Sequence, residues 1–418
     1  MSILATYESN TRGSSAAQKR AHASVVGGNS RGAAYHRPYP LTLVRAEGAT
    51  VVDVDGREYL DFINNFTSLV HGHAYPPILE AVSRQIGLGT AWVANNEWQT
   101  ELAETLIERV ASFESVRFTN SGTEAGMLAL QIARTVTGRT KVLMARHGYH
   151  GSLEEFEVGS APGLYPDRAK DRTLLATYND AESFEAALAA HGDDIAAVVL
   201  EPVMGAGGVI RATPEFLARV RDAAHAAGAL LVLDEVIAFR LATGGTQSLV
   251  DIEPDLTMLG KLIGGGFPVG GVGGKREYLE IFDPENPRGM HSGTYNGNPV
   301  TMTAGLVSVR ELTAERIRVM EELGERLEAS LARSAGQHGL PLALNRCGSL
   351  LQLYFSDEAA EGEGPDRMSA LHLAALNHGL MFASRGMICL STVMDESVID
   401  EAAQRADAAM EDVARELG

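Results

Sequence analysis

Short apolar runs recur along the chain between longer stretches whose apolar residues return every three or four positions. Lys141 to Ala145, Ile195 to Leu200 and Ala229 to Leu233 are apolar almost throughout, as parallel strands buried on both faces are. Helical periodicity covers Pro76 to Gly87, Glu97 to Ala111 and Gly122 to Thr137, with a short strand at Val116 to Phe118 before the third. From Pro40 the text alternates: Leu41 to Val44 and Thr50 to Val54, broken by Asp55-Gly56, read as short strands around a turn. Residues 1 to about 35 are rich in Ser, Ala, Gly and Arg, poor core material but suited to an ordered arm over a cleft. Beyond Pro299 one long helix is predicted through Ala335. Strands at Leu350 to Phe355 and Met387 to Leu390 follow, then a final helix from about Glu396 to Glu416. The pattern is an α/β core followed by a smaller α+β domain, without internal repeats.

Composition narrows the partners more than the fold. At 418 residues, 45% of them apolar, the chain has material for two or so domains. A formal charge of −19 argues against nucleic acid or an anionic membrane surface as partner. Cys347 and Cys389 are too few for a disulfide framework, and no apolar segment after Met1 reads as a signal peptide, so the cytoplasm is the expected address. No stretch reaches the roughly 20 apolar residues of a membrane helix, which leaves the sequon Asn65-Phe66-Thr67 as chance. In so acidic a chain, any anion must be bound by a locally placed lysine or arginine.

The chemistry concentrates where apolar runs end. Asp234 closes the run Ala229 to Leu233, and Leu259-Gly260-Lys261 opens into Gly264-Gly265-Gly266. An acid and an amine can together hold pyridoxal 5'-phosphate: Lys261 as a Schiff base, Asp234 against the ring nitrogen, keeping it protonated so that the ring accepts carbanion electrons. Desolvation beside the glycines would free the Lys261 amine as nucleophile and proton carrier. Ser121, Gly122 and Thr123 stand at a predicted helix start, where free N–H groups and hydroxyls cup a phosphate; an N-cap by Ser121 with Glu124 behind it is the structural alternative. Glu201 also closes an apolar run, which would place it with Asp234 at the carboxyl edge of neighbouring parallel strands. Val236, two positions after Asp234, would pack under the ring. Tyr149 could stack on it, with His150 beside. The loop His291 to Pro299 carries hydroxyls that could reach a phosphate. Gly270 to Lys275 fails as a Walker loop because Val269 and Arg276 stand where glycine and Ser/Thr belong, and no dinucleotide fingerprint follows a strand. His147, His150 and Glu154 lack metal-site spacing, so no metal is expected.

In this order, Asn120-Ser121-Gly122-Thr123-Glu124-Ala125, Tyr149-His150-Gly151, Glu201-Pro202, Asp234-Glu235-Val236, Lys261 and Gly293-Thr294, the chain resembles the class III aminotransferases of the fold type I pyridoxal phosphate enzymes. Arg45 to Gly48, Asp53 to Gly56 and Gly72 to Pro76 extend the likeness over nearly the whole chain. The resemblance implies a large doubly wound, mostly parallel-sheet domain at 66–300 and a small α+β domain at 301–418, completed by an arm and strands from 1–65. It also implies a homodimer with a shared active site, with Thr294 reaching the partner's phosphate and Lys261 as the internal aldimine.

Within that family the chain is most similar to the β-amino acid (β-phenylalanine type) aminotransferases and the glutamate-1-semialdehyde aminomutases. Asn29-Ser30-Arg31 resembles an arginine segment that both use for a substrate carboxylate. Ser384-Arg385-Gly386 resembles a Pro-Arg-Gly of the β-amino acid enzymes, with Ser384 replacing the proline; the aminomutases lack that arginine. The carboxylate of a β-amino acid lies one methylene further from the amine-bearing carbon than that of an α-keto acid, and two arginines serve both where one cannot. The expected reaction is ping-pong transfer from a β-amino acid to 2-oxoglutarate or pyruvate, with Arg31 and Arg385 binding substrate. The alternatives are the aminomutase and a non-catalytic cofactor-binding paralogue. Phe66, Ser68, Val93 and Met204 are candidates for the side-chain pocket.

Overall fold

The computed structural model describes residues 1–160, 171–356 and 366–417. The chain forms two compact units, one of residues 1–75 with 315–418 and one of 76–314.

The first unit joins both chain ends. Helices Ile3–Asn10 and Arg12–His22 are followed by β1 (Leu43–Glu47), β2 (Thr50–Asp53) and β3 (Glu58–Asp61), which form an antiparallel meander. The N-terminal residues supply core after all. Tyr7 is fully buried, and its hydroxyl donates to the Tyr39 carbonyl at 2.7 Å. A helix of eight residues burying only Ile3 and Tyr7 is too short to show a period in the sequence.

The second unit carries the large sheet. Its strands are β4 (Ser115–Thr119), β5 (Lys141–Ala145), β6 (Thr173–Ala176), β7 (Ile195–Leu200), β10 (Leu230–Asp234), β11 (Leu256–Gly260) and β12 (Gly270–Gly274), and a ribbon of β8 (Val203–Met204) and β9 (Ile210–Arg211) stands apart. The spatial order is β4-β12-β11-β10-β7-β5-β6, with β12 antiparallel to both neighbours and the other pairings parallel. One core cluster holds Leu128, Ile132 and Phe156, the other Phe184, Phe216 and Val220, each with residues of the buried strands. That is the two-sided burial the continuous apolar runs announce.

Strand β12 is the run that resembled a phosphate loop. Its glycines have a steric cause: a Cβ on Gly270 would lie 2.0 Å from the Ser121 carbonyl oxygen, on Gly273 2.4 Å from the Phe113 ring, and on Gly274 2.4 Å from the Asp255 carbonyl oxygen. The long helix expected beyond Pro299 is two helices, Pro299–Glu311 and Ala314–Gln337. They part at buried Leu312, whose apolar character hides the break, and Arg109 donates to its carbonyl at 3.1 Å. The second helix belongs to the first unit. There β13 (Leu342–Cys347), β14 (Leu350–Phe355) and β16 (Met387–Cys389) form an antiparallel sheet, β15 (Leu380–Met381) joins β3 in parallel, and Glu396–Leu417 closes the chain. Cys347 and Cys389 are buried free thiols. No helix among the described residues is long and apolar enough to cross a membrane.

Helix Pro299–Glu311 approaches the turn that carries Lys261 so closely that a Cβ on Gly305 would lie 1.9 Å from the Ile263 carbonyl oxygen. Gly305→Ala is expected to destabilise the protein by about 1–3 kcal/mol through overpacking against backbone. Urea unfolding checks this, and an unchanged midpoint would contradict the close approach.

Candidate active site

Strands β10 and β11 run side by side with Asp234 opposite Met258, so Asp234 and Lys261 leave the sheet at the same carboxyl edge. Lys261 lies three positions beyond Met258, separated from it by Leu259 and Gly260. Lys261 has φ of +51°, a left-handed conformation costly for a residue with a Cβ, and sits between extended Gly260 and left-handed Gly265. The strained backbone turns the lysine abruptly off the strand.

Asp234 is 4% exposed and fixed from two sides. Its Oδ1 accepts from Val236 N at 3.0 Å, and its Oδ2 lies 2.9 Å from Nδ1 of His150, which is 2% exposed and packs edge-on against Phe156. Burial alone would depress the His150 pKa, but the hydrogen bond and charge of Asp234, joined by the charge of Glu201, outweigh it and raise it. The His150 ring thus backs the Asp234 carboxylate inside the protein. Glu201, one residue past β7, accepts from Tyr149 N at 3.1 Å and Gly205 N at 2.9 Å. Burial, with Asp234's charge adding, pushes it up to about 7. Glu201 thus pins the turn that carries Tyr149 and His150, and the Tyr149 ring itself is 45% exposed.

Ser121 caps helix Gly122–Thr137, accepting from Glu124 N at 3.1 Å, while Glu124 reaches back to Asn120 N at 2.7 Å. The capping arrangement and an anion cup coexist, since the helix start keeps further N–H groups to offer. Thr123 Oγ1 accepts from Ser152 N at 3.1 Å. Val236 packs between two glycines: a Cβ on Gly122 or on Gly260 would lie 3.2 Å from it. It therefore lies between the start of helix Gly122–Thr137 and the lysine turn. Thr294 is exposed, in a loop tied to the residues before this helix; of the groups that tie it, Arg117 was not singled out in the sequence. Asn120 Nδ2 donates to Asn296 Oδ1 at 2.7 Å, and Arg117 donates to His291 Nδ1 at 2.8 Å and to the His291 carbonyl at 3.1 Å. Glu235 was also missed. Facing away from Asp234, it accepts from the backbone of Thr246 at 2.6 Å and Gln247 at 2.9 Å, and the period-2 alternation of the strand was its available signal.

Arg31 and Arg385 belong to the first unit. Arg31 donates through Nη1 to Asn65 Oδ1 at 2.7 Å and lies over the Phe66 ring, 5.4 Å from its centroid. Arg385 is exposed on a turn closed by Gly386 N and the Ala383 carbonyl at 2.7 Å, and its own carbonyl accepts from Gln352. Among the described residues its guanidinium has no hydrogen-bond or ion-pair partner. Of the other pocket candidates, Ser68 binds Asn65, Met204 is buried in β8 and Val93 is fully exposed. His147 and Glu154 do not join His150 around a metal: no His, Cys, Asp and Glu cluster among the described residues is suited to one.

These donors fit pyridoxal phosphate: a carboxylate backed by a histidine for the ring nitrogen, a lysine for the aldehyde, a helix start for the phosphate and an apolar floor between them. Lys261→Ala should lose the visible absorbance of protein-bound cofactor that borohydride fixes to the chain. Retention of a borohydride-stable chromophore in the variant would refute attachment at 261. The His150–Asp234 pair gives a pH signature. A histidine whose folded pKa is raised contributes stability fully below its unfolded value, near 6.5, and loses it as pH climbs through the folded value. In cofactor-free protein, the melting-temperature advantage of wild type over His150→Asn should be greatest below pH 6.5 and shrink above it; melts at several pH values that keep a constant difference would contradict the pair.

The comparisons with known proteins agree with this geometry. The class III aminotransferase family matches residues 32–414. A β-phenylalanine transaminase of Variovorax paradoxus is 38% identical over 384 residues, 90% of this chain and 87% of the relative. A glutamate-1-semialdehyde 2,1-aminomutase of Brevibacillus brevis is 39% identical over 360 residues, 82% of this chain and 84% of the relative. A solved transaminase with pyridoxal phosphate bound superposes with a TM-score of 0.93 at 37% identity, covering 97% of this chain and 99% of that one. With one edge of a fold type I sheet bringing together Asp234, Lys261 and the start of helix Gly122–Thr137, the chain belongs to the class III aminotransferases and is a pyridoxal phosphate-dependent transaminase.

Proposed function

We propose that the enzyme moves the amino group of a β-amino acid to an α-keto acid, 2-oxoglutarate or pyruvate, in two half-reactions. Pyridoxal phosphate, when bound, supplies the sink for the electron pair left on the substrate carbon that loses its proton. Lys261 would be the attachment point for the aldehyde, and its amine would move that proton. Asp234, with His150 behind it, would hold a proton on the ring nitrogen. Ser121, Gly122 and Thr123 would hold the phosphate, Tyr149 and Val236 would pack against the ring, and Glu201 holds the Tyr149–His150 turn in place.

The observation that carries the choice of substrate is Arg385. Its turn is fixed by Gly386 and Gln352, yet its guanidinium is spent on no acid among the described residues. A second arginine kept available suits an enzyme that must grip two differently spaced carboxylates. Rearrangement within a single skeleton has no need of it. Arg31 also lines a cavity of about 760 Å³ with Ala33, Leu41, Phe66, Leu376 and Met381, which favours a donor with a bulky apolar side chain. The aminomutase reading retains support from the relative of that name.

A homodimer is part of the proposal. In the second unit Leu88, Val93, Met290 and Tyr295 are exposed, and Asn298 Nδ2 to the Thr90 carbonyl at 2.7 Å ties their two segments together. Such an apolar surface around Thr294 suits a second copy whose phosphate that threonine would reach. A cytoplasmic address belongs to the same reading.

Holoenzyme incubated with β-phenylalanine or 3-aminobutyrate and 2-oxoglutarate should form glutamate. No glutamate, together with rearrangement of glutamate-1-semialdehyde in the absence of keto acid, would overturn the choice. In the active enzyme Arg385→Ala should raise KM for one carboxylate partner by about 10- to 100-fold and spare the other, the loss of a charge-assisted hydrogen-bonded pair. An equal rise for both would contradict the division of labour between the arginines.

A further inference from the structure

Four consecutive residues, none of them glycine, hold left-handed backbone: Asn64 at φ +46°, Asn65 at +52°, Phe66 at +52° and Thr67 at +72°. Asparagine tolerates this region, but a bulky phenylalanine and a β-branched threonine rarely enter it. The run is one turn of left-handed helix, closed by Thr67 N to the Ile63 carbonyl at 3.0 Å. Several buried groups enforce it. Asp61 Oδ1 accepts from Ile63 N at 2.7 Å and Asn64 N at 3.0 Å, while its Oδ2 lies 2.6 Å from His73 Nε2. Asn64 Nδ2 donates to the Cys389 carbonyl at 2.8 Å. Strain so heavily supported calls for a use.

The use lies at the outer side of the turn, where two successive residues meet the same guanidinium. Asn65 Oδ1 takes one hydrogen bond from Arg31 Nη1 at 2.7 Å, and the Phe66 ring lies under the guanidinium, 5.4 Å from centroid to Cζ. The amide cannot be reversed. Its Nδ2 donates to Ser68 Oγ at 2.8 Å, and Ser68 Oγ spends its own proton on the Asn65 carbonyl at 3.0 Å, which leaves Oδ1 to face the arginine. From below, Asn29 Oδ1 accepts from Arg31 N at 2.7 Å. Nε and Nη2 of Arg31 have no partner among the described residues, and that pair of donors is the fork a carboxylate binds bidentately.

We propose that Asn65 is a positioning residue for carboxylate recognition: the left-handed turn holds its amide oxygen and the Phe66 ring against Arg31, so that the arginine presents its Nε–Nη2 edge to the substrate. This rests on the reading of Arg31 as a substrate-carboxylate ligand. The neutral amide is essential to the arrangement. It orients the guanidinium without neutralising it, which an aspartate at the same place would do.

The test is the affinity of the holoenzyme for 3-phenylpropanoate, an unreactive carboxylate, measured by equilibrium titration in Asn65→Gly, Asn65→Asp, Arg31→Ala and the double variant Arg31→Ala/Asn65→Gly. Glycine adopts positive φ freely, so Asn65→Gly removes the amide and leaves the turn. It should weaken binding about tenfold, and raise KM for a β-amino acid similarly with kcat within about twofold, as losing one oriented charged contact does. Asn65→Asp, which sets a carboxylate against Arg31, should weaken it about 100-fold or more. In the Arg31→Ala background, Asn65→Gly should add nothing, because it acts through that arginine. Wild-type affinity in Asn65→Gly, or a full additional loss in the double variant, overturns the proposal while leaving Arg31 in place. Unchanged affinity in Arg31→Ala overturns the arginine reading, and this inference with it.

Discussion

The buried carboxylate of Asp234 is the constraint around which the second unit is arranged. An ionised acid at the end of an apolar strand costs several kcal/mol to desolvate unless it is paired and hydrogen-bonded. Here the pairing comes from the His150 ring at 2.9 Å, which is carried on a loop that Glu201 holds by Tyr149 N. Three adjacent parallel strands, β5, β7 and β10, therefore contribute to keeping one negative charge in place. The next strand, β11, delivers the lysine. Remove the charge and the edge of the sheet loses the reason for most of its polar side chains.

Much of this edge is legible in the sequence because it rests on period and termination. Asp234 and Glu201 end unbroken apolar runs, and such runs are buried parallel strands whose ends coincide at one edge. Helix Gly122–Thr137 announces itself by a glycine start, a capping serine and a regular apolar face. What the sequence conceals is backbone hand and close approach. Nothing in the letters shows that Lys261, His147 or the run Asn64 to Thr67 takes positive φ, because none is a glycine and the enforcing partners lie far along the chain. For Asn64 the partner is Cys389, 325 positions away.

The same blindness explains why the glycine strand went unassigned in the sequence. A run of Gly270-Gly271-Val272-Gly273-Gly274 lacks every mark of a strand, and its periodicity says nothing because the side chains that fill the space belong to neighbours. It is a strand because Phe113, Ser121 and Asp255 leave no volume for a Cβ. The helix break at Leu312 is hidden for the opposite reason, since an apolar residue there continues the period while the chain passes from one unit to the other.

That glycine strand bears on how such an enzyme can change over generations. Replacement of Gly270 or Gly274 brings a carbon into a backbone carbonyl, a collision that no rotamer relieves, so change in this strand costs the fold before it reaches activity. The alanines, leucines and methionine around Arg31 face open space and lie in the other unit, where an added or lost methylene is tolerated. On the proposed reading of Arg31, inheritance can thus rewrite what the protein recognises while the groups proposed to handle protons stay untouched. A single scaffold that separates the two in this way is well suited to found lineages with unlike diets.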